Sequence, residues 1–366
     1  MKVLHIANMN IRSGVASFLM NYYRHIDREK IQFDFLSCSL LEDNYSLEIQ
    51  RLGGIVYNAP SYKKNLFKYI NFVRDVIVNG TYDIIHCHQF LLSVISLSIA
   101  RKNGVKTRII HSHNNFISSK WKKLLVYLFR KFWPLFATDF FACSEGAANF
   151  LFGKKCKYKI FNNAIEPERF IFNNTVRSSV RNDLCLPENA FVIGYVSRFD
   201  KQKNHLFLID VFQHIIRKNI NAYLLLVGTG ILQDKVKKYV TDLNISNNIL
   251  FYGISKKVHE LYSVMDVFVF PSLFEGLGIV GIEAQCAGLP VIASLNIPKE
   301  MQITPLVCWL DLKSGAEKWA EKALEYSTLK ERMDMSEIIT QNGYNVKTEC
   351  KKMEIAYLRL THEKAK

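Results

Sequence analysis

Eight cysteines are scattered through the 366 residues without one C-x-x-C pair or a regular framework of spacings. A cysteine-held metal cluster and a secreted disulfide scaffold are both disfavoured on that ground. Cys87, Cys143, Cys286 and Cys308 sit within apolar stretches, where buried reduced thiols are expected. Long hydrophobic runs are missing too: the longest uncharged apolar stretch, Phe90–Ala100, falls far below the roughly 20 residues that span a bilayer. Met1–Ile6 reads as a short strand, without the apolar core and small-residue cleavage site of an export signal, so a cytoplasmic location is expected. Asn8–Ser17 holds no G-x-G-x-x-G, which argues against a bound dinucleotide. No recognition-helix module, RNP-type sequence or zinc finger is present, which argues against nucleic acid.

What is present suits a globular protein. Hydrophobic residues make up 49% and charged residues 22%, and the length suggests two domains. The 48 Lys and Arg outweigh the 33 Asp and Glu, giving a formal charge of +15 that favours an anionic partner.

Apolar, β-branched runs at Lys2–Ala7, Gln32–Ser37, Ile55–Tyr57, Asp83–Cys87, Thr107–Ile110 and Asp139–Cys143 alternate with helical patterns such as Ala16–His25, Leu66–Val78 and Gln89–Arg101. From Glu166 to Asn189 periodicity fades among prolines, Asn and Ser. A second series follows, with strands at Phe191–Val196, Ala222–Val227, Asn248–Tyr252, Asp266–Phe270, Val291–Ala293 and Leu306–Trp309. The pattern predicts an α/β fold of two doubly wound, Rossmann-like domains with mostly parallel sheets. Residues 1–168 form the first domain, 169–190 a connection, 191–345 the second domain, and 346–366 a terminal helix. That helix carries Val346, Cys350, Met353, Tyr357 and Leu360 on one stripe, which needs a surface to cover.

Ligands of such sheets bind in loops at the carboxyl ends of strands. Two loops there carry charge. The run 271–284 leads from strand Asp266–Phe270 through glycines into a helix, with Glu275 in the loop and Glu283 one turn into the helix. Both acids can address one pocket, and free N–H groups at the helix start suit a phosphate. A solvated helix with chance glutamates is the alternative, but Glu283 stands among Val280, Ile282, Ala284 and Cys286, a setting that rarely keeps an unpaired carboxylate. After strand Phe191–Val196, Arg198 and Lys203 stand at a strand end and a helix start, where two cations can converge on a diphosphate.

Arg198 and Lys203 form an Arg-x4-Lys pair and Glu275 and Glu283 a Glu-x7-Glu element, and together they resemble the family 4 retaining glycosyltransferases of the GT-B fold. Val227–Gly230 looks like that family's glycine-bearing loop near the nucleotide, and Arg12–Phe35 and Arg108–Asn114 look like its exopolysaccharide and capsular-polysaccharide members. The resemblance implies two domains facing across a cleft, with the last helix crossing back to the first. It implies that Arg198 and Lys203 bind the donor diphosphate, that Glu283 binds the ribose, and that Glu275 with the backbone of Gly276, Leu277 and Gly278 binds the transferred sugar. Gly228 and Gly230 would lie near the nucleotide and Gly14 beneath the pyrophosphate, while His113 matches the histidine that faces the donor sugar. One departure stands out: Ser13-Gly14-Val15-Ala16 supplies one glycine and no acid where two glycines and a glutamate are common.

His86, His88 and His111 compete with His113, but metal ligation by them is disfavoured on the ground that alternating strand positions scatter side chains to opposite faces. No metal and no cofactor are expected. No Asp-x-Asp lies at a strand end, so cations and the helix dipole should take the place of Mg²⁺ on the leaving diphosphate.

Between Ile84 and Thr138 there is no Asp or Glu against nine Lys or Arg. A helix projected over 117–136 sets Lys120, Lys123, Arg130 and Lys131 opposite Trp121, Leu125, Leu128, Phe132 and Phe136. Such a helix suits an anionic membrane surface on the inner leaflet, near a polyprenyl-diphosphate-linked acceptor; the alternative is a helix packed on its own domain. The expected activity is transfer of a hexose-type sugar from a nucleoside diphosphate sugar, a UDP-sugar being the expected donor, to a glycan or lipid-linked hydroxyl in exopolysaccharide or capsule synthesis. The alternatives are a sugar-nucleotide epimerase, a phosphorylase, or a non-catalytic donor-binding partner.

Overall fold

Short runs of β-branched and aromatic residues, apolar on both faces, have only one stable setting: interior strands of a sheet covered by helices on each side. The computed structural model describes residues 1–10, 13–37, 45–90, 92–113, 120–329 and 331–365. It divides into one unit of Met1–Ile165 with Asn345–Lys366, and a second of Glu166–Tyr344.

In the first unit, β1 (Lys2–Ala7), β2 (Gln32–Ser37), β3 (Val56–Asn58), β4 (Ile84–Cys87), β5 (Thr107–Ser112), β6 (Asp139–Ala142) and β7 (Lys159–Ile160) build one sheet. Its order is β3-β2-β1-β4-β5-β6-β7, and all pairs are parallel. In the second, β8 (Phe191–Val196), β9 (Ala222–Val227), β10 (Ile249–Gly253), β11 (Val267–Phe270), β12 (Val291–Ser294) and β13 (Val307–Leu310) follow the order β10-β9-β8-β11-β12-β13, again all parallel. Strand order reverses between β1 and β4 and between β8 and β11. At such reversals the flanking helices lie on opposite faces, and the loops splay apart to leave room for a ligand.

The last helix, Val346–Ala365, buries its stripe against the first sheet. Val346, Cys350, Met353, Tyr357 and Leu360 join a core with Leu19, Tyr22, Phe33, Ile109 and Phe141. The Tyr357 hydroxyl meets His86 Nδ1 at 2.7 Å, and Glu349 Oε2 accepts the Asn162 N–H at 3.0 Å.

Some local expectations need correction. The segment read as a connection holds helices Pro167–Phe170 and Asn174–Asp183 and belongs to the second unit. Arg177 and Arg181 share Asp266 there, and Asn173 caps the longer helix; these polar contacts leave no apolar period to read. The helix expected from Gln89 begins at Ser93. Cys308 is only half-buried, because the edge strand β13 is covered less than β11. Among the described residues no helix is long and apolar enough to cross a membrane.

Candidate functional site

Both loops expected to carry chemistry flank the switch point of the second sheet. Arg198 and Lys203 follow β8, and Glu275 follows β11. Asp200 caps the short 3-10 turn Lys201–Lys203 by accepting from the Lys203 N–H, and so fixes where the lysine projects. Lys203 Nζ then meets Glu275 Oε1 at 2.6 Å, and Gln202 Nε2 donates both to the carbonyl of Phe274 (2.8 Å) and to Glu275 Oε2 (3.2 Å). The Leu273 N–H donates to the Gln202 carbonyl at 2.8 Å, which ties the two loops together through backbone. A cation and an acid from separate strand ends are therefore gathered at the switch point.

Arg198 does not join them by contact. Its guanidinium lies 3.2 Å from Asp200 and is 55% exposed, where an ion pair contributes little and is easily exchanged for a better anion. The two expected cations are thus each matched with a carboxylate. Glu283 is held separately: the Tyr262 hydroxyl donates to its Oε2 at 2.7 Å. Burial raises the Glu283 carboxyl to about 7, and the Tyr262 hydrogen bond opposes that shift only in part.

The glycine loop after β9 packs on the Arg198 turn. Phe199 N–H donates to the Thr229 carbonyl at 3.1 Å. A Cβ on Gly228, whose φ is +131°, would come within 2.1 Å of the Ser197 carbonyl oxygen, and one on Gly230 within 2.5 Å of that of Phe199. Only glycine lets these backbones approach so closely. The helix Ile279–Cys286 opens after Gly278 (φ +87°) without a side-chain cap, so its first N–H groups are not occupied by a side chain at that end. Gly276 and Leu277 lie in the loop between Glu275 and that helix.

In the first unit, Gly14 is the first residue of helix Gly14–His25 rather than part of a loop, and a Cβ there would meet nothing within 4 Å. Arg12, Asn114 and residues 117–119 lie outside the described residues. His113 follows β5 and is half-buried. It is not alone, and the expected scatter of its neighbours is overturned. His86 and His88 are two apart, as are His111 and His113, so the period of two puts each pair on one face. His5, His86, His88, His111 and His113 pack as one group beside Phe18, with ring centroids such as His111–His113 at 4.2 Å and His86–His88 at 4.3 Å. His5 Nδ1 lies 3.0 Å from His88 Nε2, His88 Nδ1 2.8 Å from His113 Nε2, and His86 Nε2 3.2 Å from His111 Nδ1. Burial lowers all five below the usual histidine range, His5 and His113 to about 3, so the rings are neutral imidazoles at neutral pH.

Asp200, Gln202, Tyr262 and His5 escaped the reading of the sequence. Asp200 had a signal, an Asp three residues before the lysine it caps. Tyr262 had none, because it reaches Glu283 from another helix.

Comparison with known proteins bears on this geometry. Residues 12–169 match the family described as Glycosyltransferase Family 4, and residues 176–345 match Glycosyl transferases group 1. The chain is 34% identical over 357 residues to EpsF of Bacillus subtilis (strain 168), named as a glycosyltransferase, covering 94% of this chain and 93% of that one. It is 25% identical over 311 residues to the UDP-Gal:alpha-D-GlcNAc-diphosphoundecaprenol alpha-1,3-galactosyltransferase of Escherichia coli, covering 80% and 79%. Among solved structures, Alr3699/HepE of Anabaena, crystallised with UDP and glucose, superposes with a TM-score of 0.75 at 17% identity over 100% of this chain and 98% of that one.

Proposed function

The chain belongs to the family 4 glycosyltransferases of the GT-B fold, and from that premise we propose that it moves a hexose-type residue from a UDP-sugar to a hydroxyl of a lipid-linked glycan, with retention of configuration, in exopolysaccharide or capsule synthesis. The observation that carries the reading is the Lys203–Glu275 contact at the switch point of the second sheet, beside the Arg198 turn and the glycine loop. Arg198, being exposed, exchanges Asp200 for the donor diphosphate. Lys203 has further N–H donors to offer while one is held by Glu275. The N–H groups after Gly278 add a partial positive charge. Glu283 accepts from the ribose hydroxyls. Glu275 accepts from the sugar, together with the backbone of Gly276, Leu277 and Gly278.

The resemblance supplies the reaction course. The bond from the anomeric carbon to the diphosphate breaks with its electron pair on the phosphate oxygen. The acceptor oxygen bonds to that carbon from the same face, and its proton passes to the departing phosphate. His113 and Gly14, in the first unit, are carried over from the family pattern alone.

A UDP-sugar donor is supported by the UDP of the Anabaena structure and by the name of the Escherichia coli relative, and a lipid-diphosphate acceptor by that name also. Contact with the membrane is supported by the helix Lys120–Phe129 and the turn after it. Trp121 (78% exposed), Tyr127, Leu128, Phe132 and Leu135 lie outward, and Val126 is buried. The segment packs on its own unit through Val126, Phe129, Trp133 and Phe136 and leaves these other apolar side chains uncovered. Arg130, expected on the basic side, donates instead to the carbonyls of Asn149 and Phe150. An apolar, aromatic face in a stretch without acids fits an anionic bilayer.

Product analysis tests the whole reading. Incubation with a UDP-hexose and a lipid-linked disaccharide acceptor should give free UDP and one new glycoside of retained configuration. Epimerised sugar nucleotide without a glycoside, sugar phosphate, or no turnover would each replace it with one of the alternatives.

A further inference from the structure

We propose that His88, His111 and His113 form a binding site for a divalent late first-row transition ion of the zinc class, with His5, His86 and Tyr357 as its outer shell. Two groups of three among the described residues bring one ligand nitrogen each to within 4.8 Å of one another: His5, His86 and His88, and His88, His111 and His113. Both are all-imidazole. Such a set suits Zn²⁺, Co²⁺, Ni²⁺ or Cu²⁺, whereas Mg²⁺, Mn²⁺ and Ca²⁺ prefer carboxylate and carbonyl oxygen.

The second group is the better site because the outer nitrogens of two of its three rings, His88 and His111, are already engaged. Metal-bound histidines generally give their other ring N–H to a fixed partner, which sets the tautomer and aims the lone pair at the ion. His88 turns Nε2 to His5 Nδ1 at 3.0 Å, and His111 turns Nδ1 to His86 Nε2 at 3.2 Å. His86 in turn places Nδ1 against the Tyr357 hydroxyl at 2.7 Å. That leaves His88 Nδ1 and His111 Nε2 as inward ligands. His111 Nε2 and His113 Nδ1 are buried without a hydrogen-bond partner among the described residues, an arrangement that costs free energy unless something else satisfies them. His88 and His113 are half-buried, which gives an ion a way in, whereas His5 and His86 are not exposed at all.

Occupation requires one adjustment. The His111 and His113 rings stack at 17°, and an ion must lie in the plane of each ring. His113, just beyond the end of β5, would turn about its soft terminal torsion. It would give up its 2.8 Å contact with His88, since two ligands held at about 2.0–2.1 Å in a tetrahedron stand about 3.3 Å apart. The fourth position stays open to water or another ligand. Phe18, edge-on to His111 and His113, supplies the apolar wall.

His113 is the one residue that the metal site shares with the proposed donor site, and the test uses no turnover. The untagged, metal-stripped full chain is titrated with Co²⁺, followed by its visible absorption, and then challenged with Zn²⁺. One equivalent of Co²⁺ with the intense bands of four-coordinate nitrogen ligation, displaced by Zn²⁺, is expected. His88→Ala and His111→Ala should lose it, His86→Phe should weaken it roughly 10–100-fold, and His259→Ala, in the other unit, should leave it unchanged. Should His111→Ala fail to fold, His113→Ala decides, since its half-buried ring leaves the core intact. A parent chain without the bands, or bands that persist in His88→Ala or His113→Ala, would overturn the site.

Discussion

Lys203 and Glu275 sit 2.6 Å apart and mostly out of solvent, with side chains 14% and 7% exposed, so each is at once a candidate ligand contact and a partner the fold relies on. Removing one member strands the other, at a cost of about 3–5 kcal/mol, while replacing both with apolar residues of similar volume restores most of that. Lys203→Ala and Glu275→Ala should therefore lower both stability and transfer. The Lys203→Met/Glu275→Leu double variant should melt close to the parent and still be inactive, by at least about 100-fold in UDP release, the scale of lost electrostatic stabilisation at a reacting centre. An active double variant would reduce the pair to a structural contact. Glu283 makes a separate forecast. With its folded value raised to about 7 from an ordinary 4.5, it keeps its proton in the folded state across that interval. The stability it contributes is thus present below about 4.5 and lost as pH rises through 7. Ribose binding needs the opposite form, the carboxylate, so donor affinity in calorimetry should rise as pH passes through about 7. Glu283→Gln should bind weakly and without that pH dependence.

At the scale of elements, the helix Lys120–Phe129 shows how one apolar period is compatible with two environments. Its apolar stripe was legible, but a stripe looks the same whether it faces a core or a bilayer. The structure turns Trp121 and Leu128 outward and spends Arg130 on carbonyls. Flotation with vesicles rich in anionic lipid should carry the protein up. Trp121→Glu with Leu128→Glu should abolish that while leaving the melting temperature within a few degrees, because neither side chain is buried. Equal flotation of parent and variant would remove the membrane from the proposal. The histidine pairs make the reverse point: the spacing was in the sequence, and applying the strand period to it gathers those rings instead of scattering them. His5 could not be added without knowing that β1 pairs with β4, which sets His5 beside His86.

For the molecule as a whole, the first unit is discontinuous in sequence, closed by a helix that follows the second unit along the chain. A fragment of residues 1–165 would leave Leu19, Tyr22 and Phe33 without Met353 and Tyr357, and His86 Nδ1 without its hydroxyl. Expressed alone it should collapse without cooperative melting. Co-expression with residues 345–366 should restore a cooperative transition, and Tyr357→Ala in that segment should cost about 3–5 kcal/mol of it, the usual range for an emptied aromatic site. A fragment that melts cooperatively by itself would show the helix to be dispensable.

Local chemistry was enough to fix the alternation of strand and helix, the two sheets, the stripe of the last helix and the identity of the charged loops, because period, turn residues and apolar runs are written within a few residues of one another. Pairings between distant segments were not: Tyr262 on Glu283, Asp266 shared by Arg177 and Arg181, and five imidazoles in one group all depend on strand order and on which face each helix covers. Those are properties of how the elements pack, and they exist only once the chain has closed on itself.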